Sequence, residues 1–133
     1  MKVGLAIYNL LKNDTAVDGQ VSGRIYPELA KEGVAMPYIV YSVVSNSPSD
    51  TKDGTPIDEA QCEIFSVGNS YQACNNLADK VRAALDRKGV TVTDSDAGNI
   101  TVQSIHYTNE ITEVSADRKT YIAVQDYTFR IKR

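Results

Sequence analysis

The side chains from which this chain could build a reactive site are few: one histidine, His106, two cysteines, Cys62 and Cys74, and some acidic groupings. A nucleophilic triad needs a nucleophile, a base and a group that orients the base, and no motif sets a serine or cysteine beside His106. His106 therefore reads as a structural or surface residue on a strand. Cys62 and Cys74 cannot complete a structural zinc site unaided, since such sites take four ligands and there is no second histidine. In a reducing compartment they read as two small buried hydrophobes, not as a disulfide.

The acidic groupings fare no better. Asp94, Asp96 and Asn99 suggest a calcium loop, but counting from Asp94 the sixth and twelfth positions hold Asn99 and Ile105 where an EF-hand needs glycine and glutamate. A turn rich in Asx residues explains the string. Glu59 and Glu63 share a strand face two side-chain steps apart, roughly 13–14 Å, beyond even the inverting glycosidase range. They read as a solvated or interface face. Gly19 and Gly23 lack the lysine and the strand–loop–helix setting of a phosphate loop. Arg130, Lys132 and Arg133, with Arg118 and Lys119 before the last strand, are too sparse for a nucleic-acid site; solubilisation, or salt bridges to a subunit or partner, is the role left to them. No enzyme activity, catalytic residue, metal or cofactor is expected.

The elements that carry these residues can be read from periodicity. Val3, Ala6, Ile7, Leu10 and Leu11 form one helical stripe, closed by Asn13-Asp14 and the turn signals at Asp18-Gly19. Gly23 releases the chain into a short strand, Arg24 to Tyr26, limited by Pro27. Tyr38 to Asn46 is apolar on both faces, so it is either central and covered on both sides or covered on one side by a neighbouring subunit. The polar stretch from Ser47 to Asp58 is a long loop, which makes it a candidate for function or mobility. Glu59 to Val67 alternates as a strand. A helix from Ser70 to Lys88 follows, with an Asn69–Gln72 capping box, a face of Cys74, Leu77, Ala78, Val81, Ala84 and Leu85, and Gly89 as its left-handed stop. Burying Leu77, Val81 and Leu85 contributes about 1.5–3 kcal/mol each. Val90 to Thr93 suits a short edge strand, and Ile100 to Thr108 and Thr120 to Lys132 are further strands. In the last, Tyr121, Ala123, Tyr127, Phe129 and Ile131 share a face broken only by Gln125. The opposite face begins apolar with Ile122 and Val124 and then turns polar. The expected class is α+β, a mostly antiparallel sheet with two helices packed on it.

The bulk composition narrows the partners. At 133 residues the chain fits one domain, residues 1–133, able to bury about two-thirds of its unfolded surface. A net charge of −3 offers no footprint for gripping nucleic acid, so no specific nucleic-acid binding is expected. No apolar run approaches the ~18 residues a membrane helix needs, and no signal peptide is seen, which makes the cytoplasm the default compartment.

Several strings, taken in order, resemble the tail completion (tail-terminator) proteins of long-tailed bacteriophages and prophages: Ala6-Ile7-Tyr8 and Leu10-Leu11, Gly23-Arg24-Ile25-Tyr26-Pro27, Pro37-Tyr38-Ile39-Val40-Tyr41, Asp53-Gly54-Thr55, and the helix from Leu77 to Leu85. The resemblance covers residues 3–90, and the C-terminal strands more loosely. It implies a virion protein assembled in the host cytoplasm: a homo-oligomeric ring, a hexamer, that caps the tail tube and joins tail to head. Its partners would be further copies of itself, the tail tube protein and the head–tail connector. Asp50, Thr51, Lys52 and Asp53 are then candidates for a partner-docking loop, and Arg118 and Lys119 for subunit or partner contacts. The alternatives are a neck protein on the head side of the same junction, or a small ligand-binding or enzyme domain.

Overall fold

Val3, Ala6, Ile7 and Leu11 are all buried on helix α1 (Lys2–Asn13), with Leu10 packed at its rim. The computed structural model describes residues 2–30, 32–48, 54, 56–87, 89–94, 98–116 and 119–132. After Asn13 the chain leaves the helical state for a single residue. Asp14 takes extended backbone angles, and its Oδ1 accepts from the N–H groups of Ala16 and Val17, each at 3.1 Å. It is the N-cap of a second helix, α2 (Thr15–Val21), satisfying donors that any helix start leaves unpaired. Val17 and Val21, one turn apart, bury into the core that α1 enters. Ser22 and Gly23, both left-handed at φ 49° and 77°, end the helix, and Asp18 Oδ1 accepts from Gly23 N at 2.9 Å.

The remaining elements are β1 (Ile25–Pro27), β2 (Tyr38–Pro48), β3 (Ile57–Gly68), α3 (Tyr71–Leu85), β4 (Val90–Asp94), β5 (Gly98–Val114) and β6 (Tyr121–Lys132). They form one curled six-stranded sheet in the order β1-β2-β3-β6-β5-β4. Here the sequence-based expectation of a mostly antiparallel sheet with two helices is corrected: the sheet is mixed and the helices are three. β1 runs parallel to β2, Ile25 beside Ile39 and Pro27 beside Tyr41. Parallel neighbours need a crossover instead of a tight hairpin. Residues 28–37 supply it, with left-handed backbone at Glu28 and Gly33. The third helix was hidden because an Asx residue stops one helix and starts the next with the same chemistry.

One face of the sheet carries the helices and the main core. Ile39, Tyr41, Ile64, Tyr127, Phe129 and Ile105 point into it, and α3 adds Leu77, Val81 and Leu85. The buried residues of α3 are Cys74, Leu77, Ala78, Val81, Ala84 and Leu85, the face read from its spacing. Its ends differ from that reading. Ser70, not Asn69, is the N-cap, its Oγ accepting from Ala73 N at 3.1 Å. The helix stops at Leu85, short of Lys88, because β5 offers the next two residues partners: Arg87 N donates to Ile105 O at 2.8 Å and Tyr107 N to Asp86 Oδ1 at 3.1 Å. Arg87, at φ 61°, makes the left-handed turn assigned to Gly89. Gly89 serves a different need. A Cβ there would meet Gln103 O at 2.8 Å, so the chain can cross β5 this closely only without a side chain.

Candidate assembly surfaces

The face of the sheet away from the helices divides into two regions. At the end where β2 begins, Tyr38 and Val40 lie beside Val67 and Phe65 of β3, and those beside Ile122 and Val124 of β6. Ile111 of β5 extends the strip next to Val124. This is the apolar start of the β6 outer face, continued across four strands by register. Part of it is roofed by the crossover. Between residues 28–30 and 32–34 above and Tyr38, Val40, Phe65, Val67 and Ile122 below lies a cavity of about 440 Å³. The crossover is tied at both ends: Arg24 Nε donates to Pro37 O at 3.1 Å, Glu28 N to Tyr41 O at 2.8 Å, and Ser42 Oγ to Glu28 Oε2 at 2.9 Å. Tyr26 meets Tyr38 edge to face at 6.5 Å. Part of β2's second apolar face is thus covered by a segment of the same chain. Leu29 on that roof remains exposed.

Toward the other end the same face is polar and acid-rich. Thr128 Oγ1 donates to Gln61 Oε1 at 2.9 Å, Thr108 Oγ1 to Asp126 O at 3.0 Å, and Arg130 pairs with Glu59 at 3.4 Å. Glu63 and Asp126 stand side by side across β3 and β6. With Gln61, Thr108 and Val44 they line an open groove of about 360 Å³. His106 is exposed on β5 opposite Thr128. Among the described residues no three His, Cys, Asp or Glu side chains are grouped to hold a metal.

Of the residues singled out from sequence, Asp50, Thr51, Lys52, Asp53 and Arg118 lie outside the described residues. Lys119 is exposed in the turn between β5 and β6, which closes through Ser115 N to Thr120 O at 2.9 Å. The long polar loop is shorter than its composition suggests: Ser47 pairs with Glu59 and Pro48 with Asp58 inside the sheet, and Ile57 is buried at its margin. The strand ends that lead into the β2–β3 and β5–β6 connections lie at opposite ends of the sheet, one level with Lys132, the other with Gly68.

Sequence reasoning missed a buried polar joint. Gln125, the residue that breaks the apolar face of β6, is fully buried; its Nε2 donates to Ala78 O at 3.0 Å and Glu110 Oε1 at 2.7 Å. Its Oε1 accepts from Tyr127 OH at 3.2 Å, and burial drives the Tyr127 phenol upward from its usual pKa. Beside it the Arg82 guanidinium lies 3.8 Å from the ring centre of Tyr107. A polar residue interrupting an apolar alternation was the available signal. Cys62 and Cys74 are both buried and unpaired with each other; burial pushes the Cys62 thiol up to about 12 and raises Cys74 as well.

Fold and surface together define a class: a mixed-sheet scaffold with an apolar strip and an acid-rich field on its open face and, among the described residues, no grouping of metal-ligating side chains. The structure is similar to a chain from the virion of the native gene transfer agent particle, with a TM-score of 0.77 at 12% identity, covering 96% of this chain and 92% of that one. At that identity the likeness concerns the fold. No curated protein matches the sequence significantly. The family model described as tail completion protein gp17 matches residues 5–132, and the chain belongs to that family of structural virion proteins.

Proposed function

We propose that this protein forms a homo-oligomeric ring, a hexamer, that caps the phage tail tube and joins tail to head. The observation that supports this reading, beyond family membership, is that the strand ends leading into the β2–β3 and β5–β6 connections lie at opposite ends of one sheet. A ring of such subunits has two chemically different rims. The segment from Ser49 to Pro56 carries Asp50 and Asp53 against Lys52; the segment from Ser115 to Thr120 carries Arg118 and Lys119 against Asp117. By sequence the first segment is net acidic and the second net basic, a difference that suits docking on two different partners, the last tube ring and the head connector. Asp50, Thr51, Lys52 and Asp53 serve as the docking contacts on one side, and Arg118 and Lys119 as contacts on the other. The work is surface complementarity, with no bond made or broken.

Sedimentation at rising protein concentration, alone and with purified tail tubes, tests this. Ring-sized particles and stoichiometric capture on tube ends are expected. A protein that stays monomeric and ignores tubes sinks the proposal, and capture by head connectors without tube binding would move it to the head side of the junction.

A further inference from the structure

Among the described residues, two stretches of β2 and β5 extend past the outermost strands β1 and β4, at opposite corners of the sheet. β1 lies along β2 only from Ile39 to Tyr41. Beyond it, from Ser42 to Pro48, that edge of β2 has no backbone partner among the described residues. On the far side, β4 covers β5 up to Val102, and the turn after α3 takes the edge at Ile105 and Tyr107. From Thr108 to Val114 the outer edge of β5 has no backbone partner among the described residues. Exposed edges are normally blunted by charge, lysine above all. Residues 42–48 contain no charged side chain and are blunted only by a bulge between Val43 and Ser45 and by Pro48 at the end, and residues 108–114 carry Glu110 and Glu113 but no cation. Both bare apolar groups instead: Val44 is 58% exposed, Ile111 47% and Val114 51%.

We propose that copies of this chain join here head to tail, the Ser42–Pro48 edge of one adding antiparallel to the Thr108–Val114 edge of the next. The inference rests on the ring reading above and supplies its subunit contact. Pairing β2 with β2 would close a two-fold dimer, whereas two different edges make the heterologous contact a ring requires.

The stagger between the edges favours closure. Ser45 lies in the row of Gln61, Thr128 and His106, and Ile111 lies four rows further along, opposite Val124. Four rows amount to roughly 14 Å along the strands. Passing from β2 through β3, β6 and β5 to the next copy's β2 takes four strand steps, by the observed order. Those steps span roughly 19 Å across. A ring repeating this offset closes without rising only if its strands incline about 36° to the axis, within the tilt seen in closed barrels. Faces match too. Opposing Ser45 and Ile111 both lie on the open face, in register with Gln61 and Val124, and Asn46 and Glu110 both on the helix side, in register with Ala60 and Gln125.

The test pairs Ser45→Cys in turn with Asn109→Cys, Ile111→Cys and Glu113→Cys, oxidised at a concentration where sedimentation shows the parent assembled. All four positions are exposed, and antiparallel neighbours stand at disulfide distance. The native thiols are buried and do not compete. A ladder of linked multimers on a non-reducing gel is expected, strongest with Ile111→Cys, while each single variant runs as monomer. Assembled protein that gives no ladder with any pair, or single variants that link into dimers, overturns the edge pairing and leaves the ring reading intact. Protein that stays monomeric with and without tail tubes, and forms no ladder, overturns both.

Discussion

On the side covered by α1, α2 and α3, every strand of the sheet's middle sends in apolar residues; two polar side chains are fully buried there, Gln125, whose hydrogen bonds are met by α3, β5 and Tyr127, and Ser66, whose hydroxyl has no partner. On the other side the same strands carry an apolar strip at one end and an acid-rich field at the other, only partly roofed by residues 28–37. The first face is what a domain needs in order to fold, since burying it supplies most of the favourable free energy. The second face exceeds that need. An apolar strip continued over neighbouring strands by register, with exposed Leu29 beside it, has the composition of a surface that meets other proteins. Stability belongs to the covered face, and with docking proposed for the open one, substitutions on the two faces should fail differently.

The largest effect belongs to the covered face. Val81→Asp places an unpaired charge at a fully buried site, at a cost of several kcal/mol, comparable to the whole stability of a domain this size. Loss of the cooperative thermal transition is expected; a melt within a few degrees of the parent would mean that α3 does not anchor the core. Next comes Gln125→Ala, which strips the acceptor from Tyr127 OH and leaves a gap between α3 and β6. A loss of about 2–4 kcal/mol in urea unfolding is expected, and a change below ~1 kcal/mol would show the joint to be dispensable.

Alkaline pH should then weaken the covered face selectively. The buried Cys62 thiol is raised from 9.0 to about 12. A raised pKa favours the protonated, folded form, so its contribution is intact below about pH 9 and lost as pH climbs toward 12. Stability should fall by up to ~1.4 kcal/mol per pH unit across that window from this group alone. Cys62→Ala should flatten that part of the profile; an unchanged slope would assign it elsewhere. The smallest effect on folding is expected on the open face. Leu29→Ser should leave unfolding within about 0.5 kcal/mol of the parent while reducing capture on tail tubes. Unchanged capture would mean that the apolar strip takes no part in docking.

Much of the fold was legible from residue order. The stripe of α1, the buried face of α3 and the alternation of β3, β5 and β6 are local periodicities, and a local pattern survives whatever the rest of the chain does. The family was legible as well, in short strings whose order matches the tail completion proteins. Of the candidate contact residues only Lys119 falls among those described, exposed on a turn. Their composition marked them as surface, and composition carries no geometry.

What tertiary structure alone decided is everything that depends on a partner distant in sequence. Asp14 could equally stop one helix or start another, and burial of Val17 and Val21 in the shared core selected the second. Alternation states which face a residue takes but not which way the neighbouring strand runs, so the parallel β1–β2 pairing was not in the pattern. Gly89 read as a helix stop until β5 passed close beneath it, and Gln125 read as an interruption until α3 brought the Ala78 carbonyl within reach. The uncovered edges of β2 and β5 follow from where β1, β4 and the turn after α3 come to an end in space. Side-chain periodicity is a property of successive residues, whereas backbone pairing is a property of strands brought together, and only the folded chain determines which edges are left open.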